Sequence, residues 1–267
     1  MRMGMDGAGA GKAEKIEKAD RRYLRRVELL RGQIQTPDEY PFNLPAVREL
    51  ESLEFHARVT YIVGENGVGK STLLEAIATA WGFNPEGGTL NLNFATAETH
   101  SPLHRHLRLI RGTVRPKDGY FFRAESYYNV ATTIDELDRQ PDAGPAIIDS
   151  YGGRSLHEQS HGEAFFATFM HRFGSGGLYI LDEPEAALSP VRQLAMLTRI
   201  HELVRSGGQF IISTHSPLLM SYPDSRLYNL TAGGIRTCRV EETEHDIVTR
   251  EFLNNRELML AELLRDE

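Results

Sequence analysis

Gly64-Glu65-Asn66-Gly67-Val68-Gly69-Lys70-Ser71-Thr72 follows the spacing G-x-x-x-x-G-K-S, which suits the capture of phosphate groups. Glycines let a backbone curl until several N–H groups point inward at anionic oxygens. Lys70 is placed to reach the terminal phosphates of a nucleotide, and the Ser71 hydroxyl to ligate Mg²⁺. An apolar run, Val59, Tyr61, Ile62 and Val63, leads into the loop as a buried strand would. After the loop, Leu73, Leu74, Ile77 and Ala78 recur at helical spacing over residues 71–81. A helix opening there turns the positive end of its dipole toward the same anion.

A second group of chemically able residues closes another apolar strand. Leu178-Tyr179-Ile180-Leu181 runs into Asp182-Glu183-Pro184. In an open α/β sheet this places Asp182 at the carboxyl end of the strands, where ligands bind. Asp182 is expected to hold Mg²⁺ through water, and Glu183 to address the attacking water. Acids after a strand are commonplace in turns; the phosphate loop earlier in the chain is what favours the catalytic reading.

The elements that must position these groups alternate. Strands are expected near residues 24–30, 53–55, 120–122, 178–181 and 210–212, with a hairpin over 226–240 around Gly233-Gly234. Helices are expected over 71–81, 164–173 and 191–204, a short one near 134–137, and two more at the end of the chain. The loop holding Tyr40-Pro41-Phe42-Asn43-Leu44-Pro45 is expected to be irregular because of its prolines, and residues 84–117 to form an insertion. Such alternation predicts an α/β fold with a mostly parallel central sheet flanked by helices. The 267 residues, 40% hydrophobic, suffice for one large domain over 21–267 behind a disordered lead-in over 1–20. A single cysteine fits a reducing compartment, and no apolar run reaches the roughly 20 residues that span a bilayer. A cytoplasmic protein without membrane insertion is expected.

Together these residues resemble the ABC-type ATPases. Residues 64–72 resemble the Walker A loop, and Leu178 to Glu183 the Walker B strand with its glutamate. Ser160-His161-Gly162-Glu163 is similar to the signature motif, Glu185 to Ser189 to the D-loop, and Ser213-Thr214-His215 to the switch-histidine loop. The signature lies 22 residues before Asp182 and the histidine 33 residues after it. The resemblance implies ATP and Mg²⁺ as cofactors, an antiparallel β subdomain, a small helical subdomain over about 126–173, and contact of His215 with the γ-phosphate. It implies a homodimer in which Ser160 and Gly162 of one chain meet the nucleotide of the other. Glu125 stands where transporter subunits carry a glutamine that approaches Mg²⁺, and His161 and Glu163 replace the usual glycine and glutamine. An aromatic ring some 20 residues before the phosphate loop is expected to stack on adenine: Phe42 is the expected residue, Tyr40 its neighbour, and anchoring the core is the alternative role for either.

The resemblance extends to stand-alone bacterial ATPases related to SMC, recombination-repair and phage-defence proteins. Three readings stay open: a soluble ATPase whose dimerisation drives an unknown protein partner, the nucleotide-binding subunit of a membrane transporter, and the ATPase module of a DNA-repair or defence system. Only 35 residues separate Glu125 from Ser160, short for a subdomain that docks a permease. The net charge of −7 argues against coating nucleic acid, yet His104, Arg105, Arg108, Arg111, Arg115 and Lys117 form a basic run without acids. This run is either a nucleic-acid or partner surface or a solvated face. His100, His104 and His106 lack the cysteines and acids of a metal site.

Overall fold

The computed structural model describes residues 22–91, 101–139 and 145–265; the lead-in over 1–20 and His100 lie outside them. In chain order the elements are β1 (Leu24–Leu29), α1 (Pro45–Arg48), β2 (Ser52–Glu54), β3 (Val59–Gly64), α2 (Lys70–Trp81) and β4 (Gly88–Thr89). There follow β5 (Leu107–Arg111), β6 (Asp118–Arg123), α3 (Tyr127–Asp138), α4 (His161–His171), β7 (Gly177–Asp182) and α5 (Pro190–Arg205). The chain continues through β8 (Gln209–Ser213), α6 (Pro217–Met220), β9 (Ser225–Thr231), β10 (Gly234–Thr237), α7 (Glu244–Asn254) and α8 (Arg256–Leu263).

The central sheet has the order β10-β9-β3-β8-β7-β6-β4. β9, β3, β8, β7 and β6 run parallel, and the hairpin partner β10 and the short β4 are antiparallel at the edges. Every residue of β3, β7 and β8 is buried, as continuous apolar runs between two helical layers require. One core, on the face of Tyr61, Tyr179 and Phe210, receives α3, α4 and α5; the other, on the face of Ile62, Ile180 and Ile211, receives α2. Alternate residues of single strands therefore feed opposite layers.

A second, three-stranded antiparallel sheet, β2-β1-β5, packs over α2. Here the structure corrects the expectation of an insertion over 84–117. Leu107 to Arg111 pair along the full length of β1, so the basic run is part of this sheet. Arg108 Nε donates to Glu28 at 2.9 Å, and the Arg111 guanidinium lies 4.3 Å from the centre of the Trp81 ring. Two cations of the expected partner surface are thus engaged within the chain. One further expectation is corrected and another is extended. Pro45 starts a helical turn within the loop expected to be irregular, and the short helix expected to include 134–137 is α3, which already begins at Tyr127.

One buried side chain joins the two sheets. Gln209, at the start of β8, accepts from the amides of Tyr23 and Leu24 at 2.9 and 3.0 Å. Its Nε2 donates to the carbonyls of Leu24 and His56 at 2.8 and 2.9 Å. All its donors and acceptors are spent on backbone groups of the antiparallel sheet and its connection to β3. Gln209→Leu should strand several of these groups at once and destabilise the fold by about 2–4 kcal/mol, read as a lower midpoint in urea unfolding.

Candidate active site

The phosphate loop is shaped by its ends. Gly64, at φ 143°, closes β3 so near β9 that a Cβ there would lie 2.2 Å from the Leu230 carbonyl oxygen, leaving glycine as the residue that fits. Lys70 opens α2, one residue earlier than the hydrophobic spacing indicates. Its side chain is buried and Nζ donates to the Gly64 and Glu65 carbonyls, each at 2.8 Å. Burial pulls the Lys70 ammonium below its ordinary pKa, and the nearby carboxylates of Glu183, Asp182 and Glu185 oppose that pull.

Across the loop, β7 delivers its acids. Asp182 is 4% exposed, and Oδ1 accepts from Ser71 Oγ at 3.2 Å and from the Ser213 hydroxyl. Burial pushes its pKa up to about 6, against the pull of the Ser213 and Ser71 hydrogen bonds. Ser71 Oγ and Asp182 Oδ1 are hard oxygen donors within one hydrogen bond of each other, and they fit a Mg²⁺ site of the expected kind. The backbone then turns sharply: Glu183 sits at φ 49°, a left-handed conformation unusual for this residue. Its amide donates to the Ser213 carbonyl at 3.1 Å and to the Ser213 hydroxyl at 3.2 Å, which holds the turn.

The switch loop arrives from β8, the strand beside β7. His215 Nε2 lies 3.2 Å from Glu183 Oε1, and its amide donates to Glu185 Oε1 at 2.6 Å. Lys70, Ser71, Asp182, Glu183 and His215 therefore meet at the carboxyl end of adjacent strands. His245, at the start of α7, joins them with Nε2 2.8 Å from His215 Nδ1. The sequence reading missed it, and an isolated histidine in Glu244-His245-Asp246 carries no spacing signal.

Other expected site residues stand apart. Ser160 precedes α4, where its amide and hydroxyl both donate to Glu163 Oε2, at 3.2 and 2.7 Å. Those two bonds hold the Glu163 carboxyl below its usual range. Gly162 lies against residues 185–189: a Cβ there would be 2.1 Å from the Ala187 carbonyl oxygen. Glu125 follows β6 at the same end of the sheet, but its carboxylate is 78% exposed and accepts from Arg123 at 3.2 Å. Phe42, the expected adenine contact, is corrected. It is buried in the core beneath the antiparallel sheet with its ring 4.9 Å from that of His106, whereas Tyr40 is 61% exposed. His157, which flanks the signature, packs edge-on to Tyr128 with ring centres 4.6 Å apart.

Comparison with known proteins agrees with this geometry. An AAA-domain family model matches residues 42–119. A second, described as "AAA domain, putative AbiEii toxin, Type IV TA system", matches residues 133–221. These spans contain the phosphate loop, and the signature, catalytic strand and switch histidine, respectively. The chain is an ABC-type ATPase. It is 26% identical over 210 residues to the hemin import ATP-binding protein HmuV of Rhodopseudomonas palustris, covering 73% of this chain and 78% of the relative. It is 28% identical over 212 residues to the cobalt import ATP-binding protein CbiO of Salmonella typhimurium, covering 73% and 75%. A crystal structure of a nucleotide-free ATP-binding cassette from an ABC transporter is similar at TM-score 0.47 and 18% identity, over 85% of this chain and 94% of that one.

In this ATPase the close approach at Gly162 makes a test of the signature's packing. Gly162→Ala should force the start of α4 away from residues 185–189 and cost about 1–3 kcal/mol, seen as a lowered melting temperature.

Proposed function

We propose that this ATPase hydrolyses ATP with Mg²⁺ as a head-to-tail homodimer, and that the dimerisation cycle drives a protein partner from the cytoplasm. The observation that supports the dimer is the division of the site. Lys70, Ser71, Asp182, Glu183 and His215 converge, while Ser160 stands exposed at the start of another helix, bonded to its own Glu163. A helix start with free amides is an anion site, and the γ-phosphate held by the partner's phosphate loop is the anion the proposal assigns to it.

When bound, the nucleotide supplies the phosphoryl group and Mg²⁺ neutralises its charge. The residues do the rest. Lys70 exchanges two loop carbonyls for phosphate oxygens, and Ser71 and Asp182 hold the metal. Glu183 orients the attacking water, with His215 hydrogen-bonded to its carboxylate. Tyr40, the exposed ring of its loop, takes the adenine-stacking role in place of Phe42, and Glu125, which accepts from Arg123, would supply a further oxygen to the metal. The names of the relatives favour a transport complex as the partner. Pull-down with ATP-trapped protein, recovering either a membrane component or a soluble one, decides that point.

Glu183→Gln should leave nucleotide affinity intact and abolish turnover, and Lys70→Ala should abolish binding. In sedimentation, Glu183→Gln protein should be monomeric alone and dimeric with Mg²⁺-ATP, and a further Ser160→Arg change should block that shift. Equal association with and without ATP overturns the sandwich. Glu163 gives an independent test, because a carboxylate at the start of α4 repels phosphate. Adding Glu163→Gln to the Glu183→Gln protein should lower the ATP concentration at half-dimerisation by roughly twofold to fivefold, the worth of one exposed helix-end charge.

A further inference from the structure

We propose that His245 is a positioning residue of the ATPase site, fixing His215 in the tautomer that carries its proton on Nε2. The inference rests on the assignment of Glu183 and His215 to the hydrolytic centre. His215 has one ring nitrogen on Glu183 and the other on His245, at 3.2 and 2.8 Å. A carboxylate only accepts hydrogen bonds, so the contact with Glu183 Oε1 requires a proton on His215 Nε2. Neutral His215 then presents a lone pair at Nδ1, and the 2.8 Å contact is a hydrogen bond only if His245 Nε2–H donates to it. One arrangement of protons satisfies both bonds while both rings are neutral.

The surroundings of His245 favour that arrangement. The residue lies in the first turn of α7, whose N-cap, Thr243, is buried and accepts from the Asp246 amide at 3.3 Å. A helix start disfavours an added positive charge. Burial, His215 and Lys70 each lower the His245 pKa, with Glu244 opposing them. These three lowering effects disfavour the charged form of His245 and so favour its role as a neutral donor. A helix outside the recognised motifs thus reaches the residue that meets Glu183, and the relay runs His245–His215–Glu183. Its effect is to keep Nε2–H aimed at the hydrolytic face and exclude the tautomer that would turn a lone pair toward the carboxylate.

The test separates this role from packing. His245→Phe preserves the ring against His215 but removes the donor, whereas His245→Gln places an amide N–H near the position of Nε2. In the nucleotide-free protein, ¹⁵N NMR of selectively labelled histidines should show His215 protonated on Nε2 in the wild type and in His245→Gln, and mixed tautomers in His245→Phe. In steady-state assays His245→Phe should lower kcat roughly tenfold with KM for ATP little changed, a part of what a positioned acid–base group contributes, and His245→Gln should recover most of it. An unchanged His215 tautomer in His245→Phe, or equal losses in both variants, overturns the proposal. His215→Ala is the control for the underlying assignment: if it hydrolyses ATP at the wild-type rate, that assignment fails, whereas loss in His215→Ala with full activity in His245→Phe sinks the relay alone.

Discussion

A carboxylate held out of water at the end of an apolar strand is costly unless its oxygens are met, and Asp182 occupies that position at the end of β7. Ser71 from α2 and Ser213 from β8 both donate to the same oxygen, so one residue ties the phosphate loop, the catalytic strand and the switch loop together. The strained backbone at Glu183 follows from this convergence. With Asp182 turned in toward the serines, the next residue must reverse course to present its carboxylate to His215, and two bonds from its amide to Ser213 hold it there. Burial pushes the Asp182 pKa up to about 6, and the two serine hydrogen bonds work against that rise.

Behind this centre lies a second charge balance that ties the end of β6 to α2. Arg123, facing Asp182 in the strand register, donates to buried Glu75 of α2 at 2.6 Å. Glu75 also accepts from the Ser101 amide at 3.2 Å. An ion pair at that depth adds little net stability but is expensive to break, which makes it a device for holding α2 against the sheet at a set position. Arg123 is also the residue that holds Glu125, so the pair at Glu75 and the position of Glu125 are linked through one guanidinium.

Local spacing made the phosphate loop and the acidic strand end readable, because each is a short segment whose chemistry depends on its own neighbours, whereas His215 was reached only through the resemblance to ABC-type ATPases. The central strands were readable for the same reason: β3, β7 and β8 are unbroken apolar runs. What the sequence did not disclose depends on distant partners. Gln209 is an unremarkable polar residue until its amide meets Tyr23, Leu24 and His56. The basic run over 104–117 read as unpaired because the acid facing Arg108 lies at Glu28, on a strand 80 residues earlier. Phe42 and Tyr40 were indistinguishable as aromatic loop residues, and only packing against His106 decided which was buried.

The segment between the catalytic strand and α5 is where these parts become one unit. Glu185 accepts from the His215 amide, and Gln193 of α5 donates to the Leu188 carbonyl while accepting from Ser216 Oγ at 2.6 Å. Residues 185–189 are therefore tied to both sides of the switch loop. The same segment abuts Gly162 at the start of α4, and Arg192 of α5 lies 3.6 Å from Glu163. A displacement at Ser160 must pass through a backbone contact with no room for a methyl group, then through bonds that end on His215. Well-packed contacts of this kind transmit small shifts rather than absorb them. The exposed start of α4 is thus joined mechanically to Glu183 and His215, although no side chain of α4 reaches them by a hydrogen bond among the described residues.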